Sequence, residues 1–268
     1  MTPLRILSLG AGVQSSTLAL MVAKGELPPV DHAIFADTQW EPRAVYDYLA
    51  WLTPLLPFPV HVVSIGSIRD AIVSRRNTSG GRYAAIPWFT VNPDGTHGMG
   101  RRQCTSEYKL KPIMHKVREL LAKGRRDRIA AGAVEQWIGI STDEATRMKD
   151  AKQRYMINRW PLIEKNMSRA DCLGWLQDHK FPLPPKSACI GCPFHSQAAW
   201  QRMQIEAPED FADACAMDAQ LRQGDARGMR GVEYMHSARV PLAEAVKKKY
   251  RMQQVNLFEM ECEGMCGL

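Results

Sequence analysis

The chain has 268 residues, enough for one large domain or one domain with an appendage. A hydrophobic fraction of 45% and a charged fraction of 24% are ordinary for a globular protein. No apolar run approaches the roughly 18–20 residues of a membrane span, and a formal charge of +7 favours polyanionic partners such as nucleotides, tRNA or DNA.

The start, Met1 to Gly12, lacks the charged leader and cleavage site of a secretory signal, so a cytoplasmic protein is expected. Arg5-Ile6-Leu7-Ser8-Leu9 reads instead as a short buried strand ending at Gly10. A helical pattern follows through Ser16 to Ala23. His32 to Ala36 is a second strand, ending at Asp37-Thr38, and a helix follows from about Pro42 to Leu52, with Pro42 suited to a first turn. Val60 to Ser64 is a third strand, followed by a helix near Ile68 to Arg75. This alternation predicts an α/β fold, a parallel twisted sheet flanked by helices.

The stretch from about 77 to 102 breaks the rhythm, with many Gly, Pro, Asn and Thr residues, and reads as an irregular insertion: a lid or a disordered excursion. A helix is expected over roughly Ser106 to Lys123, and Arg128 to Ala131 begins a fourth strand. Ile138-Gly139-Ile140 either continues that strand or forms a short one of its own. Beyond Trp160-Pro161-Leu162 the chain looks helical. Ser168 caps a helix to about His179, and further helical patterns cover about Gln197 to Arg222 and Leu242 to Lys249.

Gly10-Ala11-Gly12-Val13-Gln14-Ser15-Ser16-Thr17 sits where the first strand ends and the first helix begins. Small residues there let backbone amides approach a phosphate, and a helix N-terminus adds positive partial charge. A tight strand-to-helix turn is the simpler alternative. No lysine precedes the hydroxyl pair, so it is not a Gly-Lys-Ser/Thr P-loop, and the glycine spacing is not that of a dinucleotide fingerprint. The segment resembles the PP-loop of adenine nucleotide alpha-hydrolase-like enzymes, Ser-Gly-Gly-x-Asp-Ser, with Gly10 replacing the first serine and Gln14 the aspartate. Two further segments are similar to the phosphoadenylylsulfate (PAPS) reductase branch of that superfamily: Phe35-Ala36-Asp37-Thr38-Gln39-Trp40-Glu41, and Trp137 to Arg147 with its Gly139, Glu144 and Arg147.

The resemblance implies a Rossmann-like PP-loop fold with a nucleotide-binding domain over residues 1–165 and a helical, cysteine-bearing region over 166–268. It implies ATP and Mg²⁺ as cofactors, with Gly10, Ala11, Gly12, Gln14, Ser15, Ser16, Asp37, Thr38, Gly139, Glu144 and Arg147 at the nucleotide. Asp37 is the nearest replacement for the missing loop aspartate and is assigned a catalytic role.

Seven cysteines with no secretory leader argue against a disulfide framework. Cys189-Ile190-Gly191-Cys192-Pro193 has a spacing that serves zinc, iron–sulfur clusters and redox disulfides alike, with Gly191 permitting a tight turn. Arg101-Arg102-Gln103-Cys104-Thr105-Ser106-Glu107-Tyr108-Lys109 is similar to a Cys-Thr-x-x-x-Lys stretch of PAPS reductases and of DNA phosphorothioation sulfurtransferases. That likeness implies a [4Fe-4S] cluster on Cys104, Cys189 and Cys192, with zinc as the alternative. Arg101, Arg102 and Lys109 are then candidates for a substrate phosphate or sulfate. Cys172 and Cys215 read as structural thiols. Cys262 and Cys266, near the C-terminus, are candidate catalytic thiols, and the Glu261-Cys262 pair partly resembles the C-terminal Glu-Cys-Gly of PAPS reductases. His97, His195 and His236 are reserves.

The leading expectation is an ATP-dependent sulfurtransferase acting on a nucleic acid or nucleotide, supplied with sulfur by a cysteine desulfurase or thiol reductant. An oligomer is compatible with the sequence. A PAPS or adenylylsulfate reductase is the second expectation, and a noncatalytic zinc-stabilised nucleotide-binding protein the third.

Overall fold

The first strand alternates its side chains between two faces, as a strand must. Ile6 and Leu7, both fully buried, therefore face different layers of helices. The computed structural model describes residues 2–75, 86–223 and 231–247. Strand β1 (Leu4–Ser8) is followed by α1 (Val13–Ala23), β2 (His32–Ala36), α2 (Arg43–Leu52), β3 (Val60–Val63) and α3 (Ile68–Ser74). The short strands β4 (Phe89–Val91) and β5 (His97–Met99) come next, then a π-helical turn over Thr105–Leu110 that runs into α4 (Lys111–Leu120). Strand β6 (Val134–Trp137), a 3-10 turn over Thr142–Arg147, β7 (Met156–Arg159), α5 (Pro161–Glu164) and α6 (Arg169–Asp178) complete the central layer. Helices α7 (Gln197–Glu206) and α8 (Pro208–Leu221), strand β8 (Val232–Tyr234) and α9 (Leu242–Ala245) finish the described chain.

The main sheet has five strands in the order β3-β2-β1-β6-β7, all parallel. One face packs Leu7, Leu9 and Phe35 against α1, α2 and α6; the other packs Ile6, Ile34 and Val134 against Ile113 and Val117 of α4. This is the expected α/β class, with a parallel sheet covered on both faces. Strand β1 is the point where chain order reverses, running to β2 on one side and to β6 on the other. Open α/β sheets bind ligands beyond the carboxyl ends of strands at such a point.

The remaining departures have local causes. The fourth strand of the main sheet begins at Val134 and not at Arg128, and it ends at Trp137, so Ile138-Gly139-Ile140 is the loop leaving it. Of the expected irregular insertion at about 77–102, residues 77–85 lie outside the described residues, and the rest is not wholly irregular: β4 and β5 form an antiparallel pair, and β8, far along the chain, pairs with β4 to make a three-stranded sheet. The long helical pattern near 197–222 is two helices, because Pro208 cannot continue α7 and instead occupies the first turn of α8. A second apolar core, built around Trp40, Trp88, Trp200, Phe211 and Met235, joins α3, the segment leading into β4, α7, α8 and α9. No helix among the described residues is long and apolar enough to cross a membrane.

Candidate active site

Two sets of expected residues meet at the carboxyl edge of the main sheet. The first is the loop from β1 to α1. Ala11 holds φ of 55°, the left-handed region that costs a non-glycine residue energy and that clusters at functional turns. Helix α1 starts after Gly12 with no side-chain cap, so its first-turn amides are those that a phosphate would meet. Ser15 is turned inward: its hydroxyl accepts from the Gly10 amide at 3.1 Å and donates to the Gly12 carbonyl at 3.4 Å. Ser15 and Ser16 are fully buried, so they brace the loop from beneath.

Gln14, fully buried, ties this loop to the far side of the crossover. Its amide nitrogen donates to Ser141 Oγ at 3.3 Å and to Glu144 Oε2 at 3.0 Å, and its oxygen accepts from Arg169 at 3.0 Å. Glu144 is in turn bound by Arg147 at 2.5 Å. A neutral amide is what this position requires, since it both donates and accepts. Gln14→Glu would press a second carboxylate onto Glu144. We expect that variant to lose about 1–3 kcal/mol of stability at neutral pH. The loss should shrink as pH falls into the carboxylate range, because the crowded acid has a raised folded-state pKa and protonation relieves it. Urea titrations at two pH values check this, and a loss independent of pH would refute it.

Asp37 stands at the end of β2. Its Oδ1 accepts from the Gln39 amide at 2.7 Å and from the Tyr46 hydroxyl at 2.8 Å. Burial, then the bond to Asp37 and its charge, push the Tyr46 phenol well above its ordinary pKa, so it stays a donor. Gly139 is buried just beyond β6.

The second set is the cysteines. Cys104, Cys189 and Cys192 line one pocket together with Thr38, Arg102 and Lys109. The CxxC turn is held from above and below: the Ile190 amide donates to the Trp40 carbonyl at 2.8 Å, and Trp88 Nε1 donates to the Gly191 carbonyl at 3.1 Å. Gly191 is required for space, not for a left-handed turn, because a Cβ there would lie 2.1 Å from the Trp40 ring. Thr38 donates to Glu41 at 2.9 Å, and the Cys189 sulfur lies 3.2 Å from the Thr38 hydroxyl and 3.5 Å from Glu41.

Lys109 is buried and pairs with Glu41 at 3.8 Å. It lines the cysteine pocket and also a small void under Ser8, Gly10 and Ser187. Arg102 lies over the Phe194 ring at 5.1 Å, while Arg101 is exposed and does not line that pocket. The two sets touch directly, since Ser187, two residues before Cys189, donates to the Gly10 carbonyl of the loop.

Among the described residues no three His, Cys, Asp or Glu side chains converge to hold a single metal ion. Cys104, Cys189 and Cys192 nonetheless share one pocket wall. Cys172 is fully buried, as a structural thiol should be, and burial raises the Cys215 thiol pKa. Cys262 and Cys266 lie outside the described residues.

Sequence pattern does not single out Arg169, Ser187 or Glu41. The capping box of Ser168 and Asp171 fixes where α6 begins, and with it the place of Arg169, but nothing local says that this arginine reaches across to Gln14.

The fold and site define the class: a parallel α/β protein with a glycine-containing loop at its switch point and a cysteine pocket alongside. No family model matches the chain, and no curated protein matches it. Seven chains of solved structures match. One is phosphoadenylyl-sulfate (PAPS) reductase from Candida auris in a phosphate complex, at 15% identity, covering 69% of this chain and 76% of that one with a TM-score of 0.45. A likeness at that level specifies neither substrate nor chemistry.

Proposed function

We propose that this protein is an ATP-dependent, iron–sulfur-dependent sulfurtransferase that replaces an oxygen of a nucleic-acid or nucleotide substrate by sulfur. The observation that carries the reading is the meeting of Cys104 with Cys189 and Cys192 in one pocket, bonded through Ser187 to the loop at the switch point. In this reading the acceptor oxygen attacks the α-phosphorus of ATP, the bond to the β-phosphate breaks and pyrophosphate leaves. A sulfur nucleophile then attacks the centre bearing the adenylated oxygen, and AMP departs.

The loop amides, with Arg147 close by, would offset the charge growing on the departing pyrophosphate. Mg²⁺ takes one or two carboxylates plus phosphate oxygens, and Asp37 and Glu144 are the carboxylates at these strand ends. Cys104, Cys189 and Cys192 would hold the cluster, which supplies an open iron for sulfide when bound. Lys109 and Arg102 line the same pocket and are the cations nearest to hand for an anionic substrate group there. Cys262 and Cys266 are proposed as sulfur carriers on the C-terminal segment, served by a cysteine desulfurase or a thiol reductant.

Anaerobic purification tests this. Iron and sulfide should copurify with a broad visible absorption that is lost in Cys104→Ala, Cys189→Ala and Cys192→Ala, and ATP should be converted to AMP and pyrophosphate when acceptor is present. Stoichiometric zinc without iron would overturn the cluster. Turnover of a sulfonucleotide with no use of ATP would replace the transferase with a reductase.

A further inference from the structure

A second, larger cavity of about 410 Å³ lies outside the two sites above. That volume falls within the range of small-ligand sites, roughly 300–1,000 Å³. Three cations line it: Arg169, Lys186 and Arg202. Its position is set by two contacts. Arg169 is the residue that donates to Gln14 of the loop at 3.0 Å. His195, also on its wall, has Nε2 3.0 Å from the Cys189 carbonyl. A molecule seated there therefore lies against the loop through one side chain and against the CxxC turn through another.

Charge selects the class of molecule. The same wall carries Glu206 and Asp210, so three cations face two carboxylates and the lining is net +1 with His195 neutral. A polyphosphate would be poorly matched by a single net charge. A phosphodiester carries one negative charge per nucleotide and is matched. The rest of the wall is suited to a nucleoside: Pro184 and Pro185 with Met203 give flat apolar surface, and the two carboxylates accept from base amines.

We propose that this cavity holds one nucleotide unit of a single-stranded nucleic acid, its phosphodiester on Arg169, Lys186 and Arg202, next to both the loop and the cysteine pocket. The assignment rests on the function proposed above and names its acceptor site. Arg169 then serves two sites at once, anchoring Gln14 and meeting the acceptor phosphate.

The test uses the full-length protein, a fluorescein-labelled single-stranded oligonucleotide, free AMP, and ATP as separate probes. Arg202→Glu and Lys186→Glu should each weaken oligonucleotide binding at least tenfold and lower the salt dependence by about one released counterion. ATP binding should be unchanged in both. Lys123→Glu, an exposed site beyond α4, removes the same charge and should leave oligonucleotide affinity as it was. Melting temperatures within experimental error of the parent establish that the variants fold; if Lys186→Glu fails to fold, Arg202→Glu alone decides. Unchanged oligonucleotide affinity in Arg202→Glu, an equal loss in Lys123→Glu, or no binding by the parent would each overturn the proposal. AMP binding that depends on Arg202 without strand binding would assign the cavity to a free nucleotide and overturn it for a strand. Failure of the sulfurtransferase reading shows up separately, as a parent protein without iron or without ATP binding.

Discussion

Replacing Asp218 by alanine is expected to cost about 3–5 kcal/mol, the largest stability loss of any single substitution considered for this chain. The carboxylate is 1% exposed. It accepts from the Met235 and Leu242 amides, both at 3.0 Å, and pairs with Arg222 one turn along α8. Alanine would leave two buried amides and a guanidinium without their acceptor, and unsatisfied buried donors are where large penalties arise. Asparagine should rescue little, because its amide nitrogen would face one of the donors. The consequence reaches the candidate site: Met235 and Leu242 belong to the core that also contains Ile86 and Trp88, and Trp88 bonds Gly191. Urea unfolding of Asp218→Ala and Asp218→Asn measures the effect, and a loss below about 1 kcal/mol, typical of one ordinary hydrogen bond, would refute it.

The second large effect is expected at Gly191. A methyl group there would sit 2.1, 2.5 and 2.9 Å from three atoms of the Trp40 ring. The ring is not at liberty to swing away, because its Nε1 donates to Asp213 at 2.7 Å and Asp213 is gripped by Arg69. Overpacking a fixed site costs typically about 1–3 kcal/mol and occasionally more. Gly191→Ala should therefore destabilise the fold by at least that and displace the CxxC turn, with any bound iron lost. Trp40→Phe removes the outer ring atoms that clash. In that background the extra cost of Gly191→Ala should largely vanish, a coupling that a double-mutant cycle reads directly. Additive costs in the cycle would mean that the clash is relieved by backbone movement instead.

These two positions mark what the sequence makes visible and what it hides. Strands β1, β2 and β3 are legible because each is a short, largely apolar run, even though β3 at the sheet edge buries none of its side chains fully. Strands β6 and β7 are not, because polar partners replace apolar ones across them: Gln136 donates to Ser8, and Glu135 pairs with Arg5 and Arg159. A search for apolar runs passes over such strands. The three-stranded sheet is hidden for a different reason, since its members have three residues each and β8 comes from the far end of the described chain. The cysteines are legible by type and spacing alone. Lys109 shows the limit of that kind of reading: its type and spacing from Cys104 mark it as a candidate for a substrate anion, but not that it is buried against Glu41 in the wall between the loop and the thiols.

The order of the main sheet also has a consequence for synthesis. Strand β1 gains one neighbour almost at once, from β2, but its other neighbour is β6. At roughly 5–20 residues per second, the chain from Ser8 to Val134 takes on the order of ten seconds to emerge from a ribosome. Throughout that interval the central strand of the finished protein is an edge, with a full row of backbone donors and acceptors open to any passing strand. A nascent chain with this topology has its greatest need of a chaperone before residues 134–159 emerge and the sheet closes around its first strand.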